Sequence, residues 1–271
     1  MEKTLFEKFL PAFAEPTDQT ARALAPFIDE AQKEIEEQVG TTAEQAGEPL
    51  LRAAALRAAY NALPQLDLVL TPTGFGVVSN QNLAPASKER VAALREQLRK
   101  DKCTSLEALL RALVKDFDWQ TSPRAITLPR SLFWLPSTFR AHGLRYQGRE
   151  CYDEEIQALR PLVYRAEQRA AAIISPELHE ILVKRQVLNP DDLDSRYFLM
   201  QNAARNMIAG LVGAEQGRFP LSIKDQMEQT LLEKLQRYGK DLPEYQGTST
   251  YEAQNEKPYE NKKDDTCFFF G

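Results

Sequence analysis

The chain has 271 residues, 43% of them hydrophobic, enough for one large domain or two of ordinary size around a real core. Its 34 basic and 39 acidic side chains are interspersed and sum to a formal net charge of −5, which excludes a nucleic-acid binder driven by whole-chain charge and leaves only local basic faces. Cys103, Cys151 and Cys267 are far apart, odd in number and never in C-x-x-C spacing, so neither a zinc site nor a disulfide framework is expected.

In chain order, the opening "MEKTLFEKFLPAFAEP" carries Glu2, Pro11 and Pro16 where a targeting signal needs a basic segment and an apolar run, and no later window approaches eighteen uninterrupted apolar residues. Synthesis in a reducing cytoplasm and no membrane partner are the expectations. "ARALAPFIDEAQKEIEEQVG" places Leu24, Phe27, Ile28, Ala31, Ile35 and Val39 on one side of a helix that closes at Gly40. The segment that argues for strands follows: "LDLVLT" and "GVVS", separated by "PTGF", predict a small hairpin over about 67–80, with Phe75 at its tip between Gly74 and Gly76. The same stretch does not make a phosphate loop. It lacks the third glycine of a dinucleotide fingerprint and the G-K-[ST] of a nucleotide loop, and roughly ten residues separate it from the next helix start at Ser87.

Further along, "TSLEALLRALVKDF" predicts a helix start with Thr104 and Glu107 as a capping box. "SPRAITLPRSLFWLPSTFRAHGLRYQGR" interleaves Arg124, Arg130, Arg140, Arg145 and Arg149 with Phe133, Trp134, Phe139 and Tyr146, a composition that can stack on bases or hold phosphates. The plainer reading, which we favour, is a linker whose aromatics pack down while the arginines stay wet. Ser175–Pro176 and Asn189–Pro190 each read as a cap followed by a proline at the first helical position, and "SIKDQMEQTLLEKLQRYG" gives a last long helix ending at Gly239.

The stretch beginning at Ala23, "ALAPFIDEAQKEIEEQVG", aligns with "ALRPLVYRAEQRAAAIIS" beginning at Ala158, and the same shift of 135 residues takes Ser87 to Ser222, two helix starts. Tandem duplication and the general similarity of amphipathic helices both explain this, and the sequence alone does not choose between them. The expected fold is mainly α: a helical bundle, with two tandem pseudo-repeats as one form of it, a small β-hairpin and an extended C-terminal arm. The expected boundaries are 1–120 for the first helical half, 121–150 for the linker, 151–241 for the second half and 242–271 for the arm. The arm is polar and aperiodic yet ends in Phe268, Phe269 and Phe270, aromatics expected to dock on a neighbour.

No catalytic constellation emerges. His142 stands beside Gly143 in a loop, and His179 opens "HEILV", where Val183 occupies the position of a second metal-binding histidine. Asp191, Asp192 and Asp194 read as helix-start acids, no G-x-S-x-G is present, and Cys151 has no histidine near it in sequence. The reading is therefore a non-enzyme with no catalytic, cofactor-binding or metal residue, whose partner-binding residues are Gly74, Phe75, Gly76, Phe268, Phe269 and Phe270.

"LDLVLTPTGFGVVSNQNLAPASKERVAAL" and the closing "YENKKDDTCFFF" resemble a protein family carried by bacteriophages and prophages of gut bacteria. The resemblance implies a virion structural protein of the neck, similar to the helical head-tail adaptors that form a ring beneath the portal. Such adaptors are helix bundles with a projecting loop or hairpin and a C-terminal arm that reaches a neighbour. It further implies other copies of the chain, the portal and tail or neck proteins as partners, with DNA passing through the ring lumen without sequence-specific contact. This chain is about twice the length of a simple adaptor, which a duplication would explain. The alternatives are a phage nucleic-acid-handling protein using residues 122–149, and an enzyme whose site lies outside known motifs.

Overall fold

An apolar side chain at every third or fourth position from Leu24 to Val39 produces the first helix, α1 (Asp18–Val39), and buries Leu24, Ile28, Ala31, Ile35 and Val39. The computed structural model describes residues 8–10, 18–66, 69–71, 74–76, 88–188 and 195–255. Within them the protein is mainly α, and its contacts gather into two units, Met1–Arg160 and Pro161–Gly271.

In the first unit, α1 ends at Gly40, whose φ of 71° suits a residue without a Cβ, and the one-turn α2 (Ala43–Ala46) leads into α3 (Glu48–Leu66). α3 packs on both α1 and α4 (Lys88–Leu113). Its buried positions are mostly alanine (Ala53, Ala54, Ala55, Ala58, Ala59 and Ala62), small side chains that let both neighbours come close. Leu10, Leu24, Ile28, Leu56 and Leu98 complete the core between them.

The hairpin lies between α3 and α4. Strands β1 (Val69–Thr71) and β2 (Gly74–Gly76) pair antiparallel, with Val69 opposite Gly76, Leu70 opposite Phe75 and Thr71 opposite Gly74. This corrects the tip position expected for Phe75. Only residues 72 and 73 separate the strands, and a two-residue connection moves Phe75 into the ladder. A second correction concerns α4, which runs unbroken through Thr104. That hydroxyl donates back to the Lys100 carbonyl at 2.8 Å, as threonine does inside a helix, so no capping box forms there.

Residues 121–150, expected as a linker, belong to the first unit. Asp116 caps α5 (Phe117–Gln120) by accepting from the Asp118 amide, and Ser122 caps α6 (Pro123–Thr127) by accepting from the Ala125 amide. α7 (Pro136–Ala141) and a short ladder of β3 (Arg145–Tyr146) and β4 (Arg149–Glu150) follow. Leu132, Phe133, Leu135, Phe139 and Leu144 are buried, and the Trp119 indole donates to the Val39 carbonyl at 2.8 Å, which ties this region to the end of α1.

α8 (Asp153–Ile174) starts in the first unit and continues into the second, which adds α9 (Pro176–Leu188), α10 (Arg196–Glu215) and α11 (Ile223–Tyr238). Ser175 caps α9 by accepting from the Leu178 amide, and Ser195 caps α10 by accepting from the Phe198 amide. Asn189, Pro190, Asp191, Asp192 and Asp194 lie outside the described residues. The shift of 135 residues carries both ends of α1 onto both ends of α8 and Pro26 onto Pro161. It also carries Leu24, Ile28, Ala31, Ile35 and Val39 onto Leu159, Val163, Ala166, Ala170 and Ile174, all of them buried.

The expected extended arm does not begin at 242. A 3-10 turn (Gly239–Asp241), α12 (Pro243–Gln246) and α13 (Ser249–Asn255) follow α11, with Leu242 and Tyr245 buried. Tyr245 lies so close to Gly239 that a Cβ there would stand 2.8 Å from its ring. Phe268, Phe269 and Phe270 lie outside the described residues.

Candidate functional site

Ionisable side chains in the first unit converge on one face of α4. Arg99 donates through Nε and Nη2 to Glu96, both at 2.9 Å, and through Nη1 to Glu155 at 2.7 Å. Glu155 also accepts from the Tyr152 amide at 3.2 Å and pairs with Arg149 at 3.3 Å. The guanidinium groups of Arg99 and Arg140 stand 5.0 and 4.9 Å from the centre of the Tyr152 ring. One turn pair further along, buried Glu107 accepts from Arg111 at 2.9 Å and from the Ser137 amide at 2.8 Å, and faces Arg140 at 3.5 Å. It thereby caps α7 from across the unit.

Burial alone would raise the pKa of Glu155, but the hydrogen bonds from Arg99 and the backbone outweigh it and hold the carboxyl below its ordinary range. Glu96 is lowered by its hydrogen bond from Arg99, and Arg99 is raised by Glu96 and Glu155. Glu96, Arg99 and Glu155 are thus held in their charged forms. Such a network holds the 131–155 segment against α4. Cys103 is pushed up to about 12, chiefly by burial and then by the nearby Asp153, so it stays a thiol. Buried Cys151 donates to the Leu144 carbonyl.

The arginines of the aromatic-rich stretch are engaged within their own unit. Arg124 donates to the Gln38 carbonyl at 2.7 Å, Arg130 to Thr127, Arg140 to Cys151 and Arg145 to Gly148. Phe133 and Phe139 meet edge to face in the core, and His142 stands edge-on to Phe133. In the second unit, His179 Nε2 lies 2.9 Å from buried Glu167, and Arg205, lowered to about 10 by burial, donates to Gln186 at 2.6 Å. Among the described residues, no three His, Cys, Asp or Glu side chains group as metal ligands, and no helix is long and apolar enough to cross a membrane.

Of the exposed large apolar side chains among the described residues, Phe117, Ile126, Tyr164, Leu188 and Leu199 lie on helices, and two stand together on one connection. Between α10 and α11, Phe219 is 39% exposed and Leu221 68% exposed. The connection is tight: Gly217 has a φ of 70°, and the Arg218 amide donates to the Gly213 carbonyl at 2.8 Å. The Phe219 ring lies on Gly213, where a Cβ would stand 2.4 Å from it, and the Arg218 guanidinium covers it at 5.7 Å. The first unit adds Phe117, 74% exposed, and Ile126, 53% exposed, on α5 and α6. Of the residues predicted from sequence, Gly74, Phe75 and Gly76 form β2, in the connection of the first unit that corresponds in order to the Phe219 connection of the second. Sequence reasoning did not single out Phe219 and Leu221. The available signal was two large apolar residues flanking Pro220 directly after a glycine turn.

Residues 18–126 match the model of a family of unknown function, DUF6712, over less than half of the chain. No curated protein and no solved structure matches the chain.

Proposed function

We propose that this chain is a structural assembly protein, a ring-forming head-tail connector between portal and tail in a bacteriophage neck. The observation that carries the reading is the pair of exposed apolar side chains, Phe219 and Leu221, held on a tight connection between two packed helices. Large apolar groups fixed outward on a rigid turn gain burial only against a partner, and such positions serve as anchors at protein interfaces. The hairpin of β1 and β2 occupies the matching place between α3 and α4, and the resemblance of Leu66–Leu94 and of the closing aromatic segment to a family carried by bacteriophages and prophages supplies the biological setting. The segment Phe268–Phe270 serves in this reading as a second anchor, on a neighbouring copy. The extensive pairing of the ionisable groups around α4 favours a scaffold over an enzyme. The engagement of Arg124, Arg130, Arg140 and Arg145 with backbone carbonyls disfavours a base-stacking platform in residues 122–149.

The test is electron microscopy of the purified chain across a concentration series, together with virions carrying an affinity-labelled copy. Closed rings of one stoichiometry and label at the neck are the expected results. A chain that stays monomeric at every concentration and is absent from particles would overturn the reading.

A further inference from the structure

The shift of 135 residues that carries the buried positions of α1 onto those of α8 also carries one exposed stripe onto another. Pro26, Asp29, Glu30, Lys33 and Glu37 on α1 fall on Pro161, Tyr164, Arg165, Gln168 and Ala172 on α8, and all ten are exposed. The positions correspond, but the charges do not. Glu30 falls on Arg165, and beside the stripe Glu34 falls on Arg169 and Ala25 on Arg160. From Gln157 to Ala172 each exposed charge of α8 is an arginine, whereas α1 exposes Asp29, Glu30, Glu34 and Glu37 against Arg22 and Lys33. We propose that the outer face of α8 in one copy of the chain docks on the outer face of α1 in a second copy, head to tail.

Charge selects this occupant. Two α8 faces would set arginine against arginine and two α1 faces carboxylate against carboxylate, so the mixed pairing is the complementary one. Asp29, Glu30 and Arg160 make no ion pair among the described residues. Arg165 pairs with Glu215 at 2.8 Å, Arg169 with Glu228 and Glu34 with Arg57 at 3.3 Å. In both arginine pairs the acid lies deeper than the arginine, which leaves guanidinium N–H groups at the surface for a second carboxylate. Tyr164, 64% exposed in the middle of the arginines, adds an aromatic body of the kind that interfaces bury. Because α8 of each copy meets α1 of the next, the contact has a direction, and it closes into a ring if the rotation between copies allows. The proposal rests on the reading that copies of the chain associate. It names the faces that choose the neighbour, a role that charge complementarity fills through specificity and rate of encounter more than through affinity.

Exchanging charge in the full chain tests this. Arg160→Glu with Arg165→Glu makes the α8 face acidic, and Asp29→Lys with Glu30→Lys makes the α1 face basic. Each variant alone sets like charges against each other, and light scattering over a concentration series should show association weaker than the parent's by about tenfold or more. An equimolar mixture of the two restores both attractive contacts, acidic α8 on basic α1 and basic α8 on acidic α1. It should associate like the parent, in assemblies that native mass spectrometry shows to contain both variants. Variants that each assemble like the parent, or a mixture that associates no better than its components, would overturn the proposal and leave the ring reading standing. A parent chain that stays monomeric at every concentration would overturn both. Circular dichroism checks that each variant keeps the parent's helicity. Arg160→Glu and Asp29→Lys, single changes at exposed positions that break no ion pair, repeat the test in the same directions where a double variant does not.

Discussion

Glu155 carries a carboxylate at 2% exposure, and what keeps it charged is the geometry of Arg99, Arg149 and the Tyr152 amide. Breaking one side of a buried pair leaves the other charge uncompensated. Glu155→Gln should therefore destabilise the first unit by about 2–4 kcal/mol, toward the lower end because Glu96 still neutralises Arg99. The pKa of Glu155 is depressed in the folded state, so its contribution to stability is complete above its ordinary value of 4.5 and is lost as pH falls through the lower folded value. Thermal unfolding followed by circular dichroism from pH 7 to 3 should show the parent protein losing stability faster than Glu155→Gln below about pH 4.5. Parallel curves for the two proteins would mean that the pair contributes nothing to the pH response.

The periodic elements were legible in the sequence because their signals are local. The α1 stripe, its stop at Gly40 and the caps at Ser175 and Ser222 needed no tertiary information, although Ser222 makes no side-chain cap bond. Thr104 and Glu107 misled because a capping-box spacing is also an ordinary pair of positions within a helix. The partner that determines the role of Glu107, the Ser137 amide, comes thirty residues later. The 242–255 segment read as aperiodic because α12 and α13 are only four and seven residues long, too short to show a repeat. The glycine turn and Pro220 marked the connection that carries Phe219, but its outward position was not legible, since exposure follows from how α10 and α11 pack. At the level of a single element, Gly40 gives a direct test. Alanine there must adopt a φ of 71°, and its Cβ would lie 2.6 Å from the Arg124 side chain, whose Nε bonds the Gln38 carbonyl. Gly40→Ala should cost about 1–3 kcal/mol in urea unfolding. A neutral or stabilising result would show that the α1 terminus relaxes without strain.

For the whole molecule, the two units carry the same kind of long entry helix with five buried positions in register, and each follows its central helix with a connection that bears a phenylalanine. If these connections are where the chain meets its neighbours, assembly and folding should separate cleanly under mutation. Phe219→Ser with Leu221→Ser removes a side chain that is 68% exposed and one that is 39% exposed and packed on Gly213, so helicity should be unchanged while the melting temperature falls by a few degrees, about 1–2 kcal/mol of lost phenylalanine burial. Gly213 lies under the Phe219 ring, and serine leaves that space open without introducing a clash. Light scattering coupled to size exclusion should then show the double variant as a monomer at concentrations where the parent forms its ring, because a few buried anchors carry most of an interface's affinity. Deleting residues 266–271 should act on the same assembly from the other anchor, leaving a folded monomer that fails to enter particles. If both variants assemble like the parent, neither the connection nor the aromatic segment is an interface. If instead the double variant loses helicity with assembly, Phe219 and Leu221 belong to the fold of the second unit.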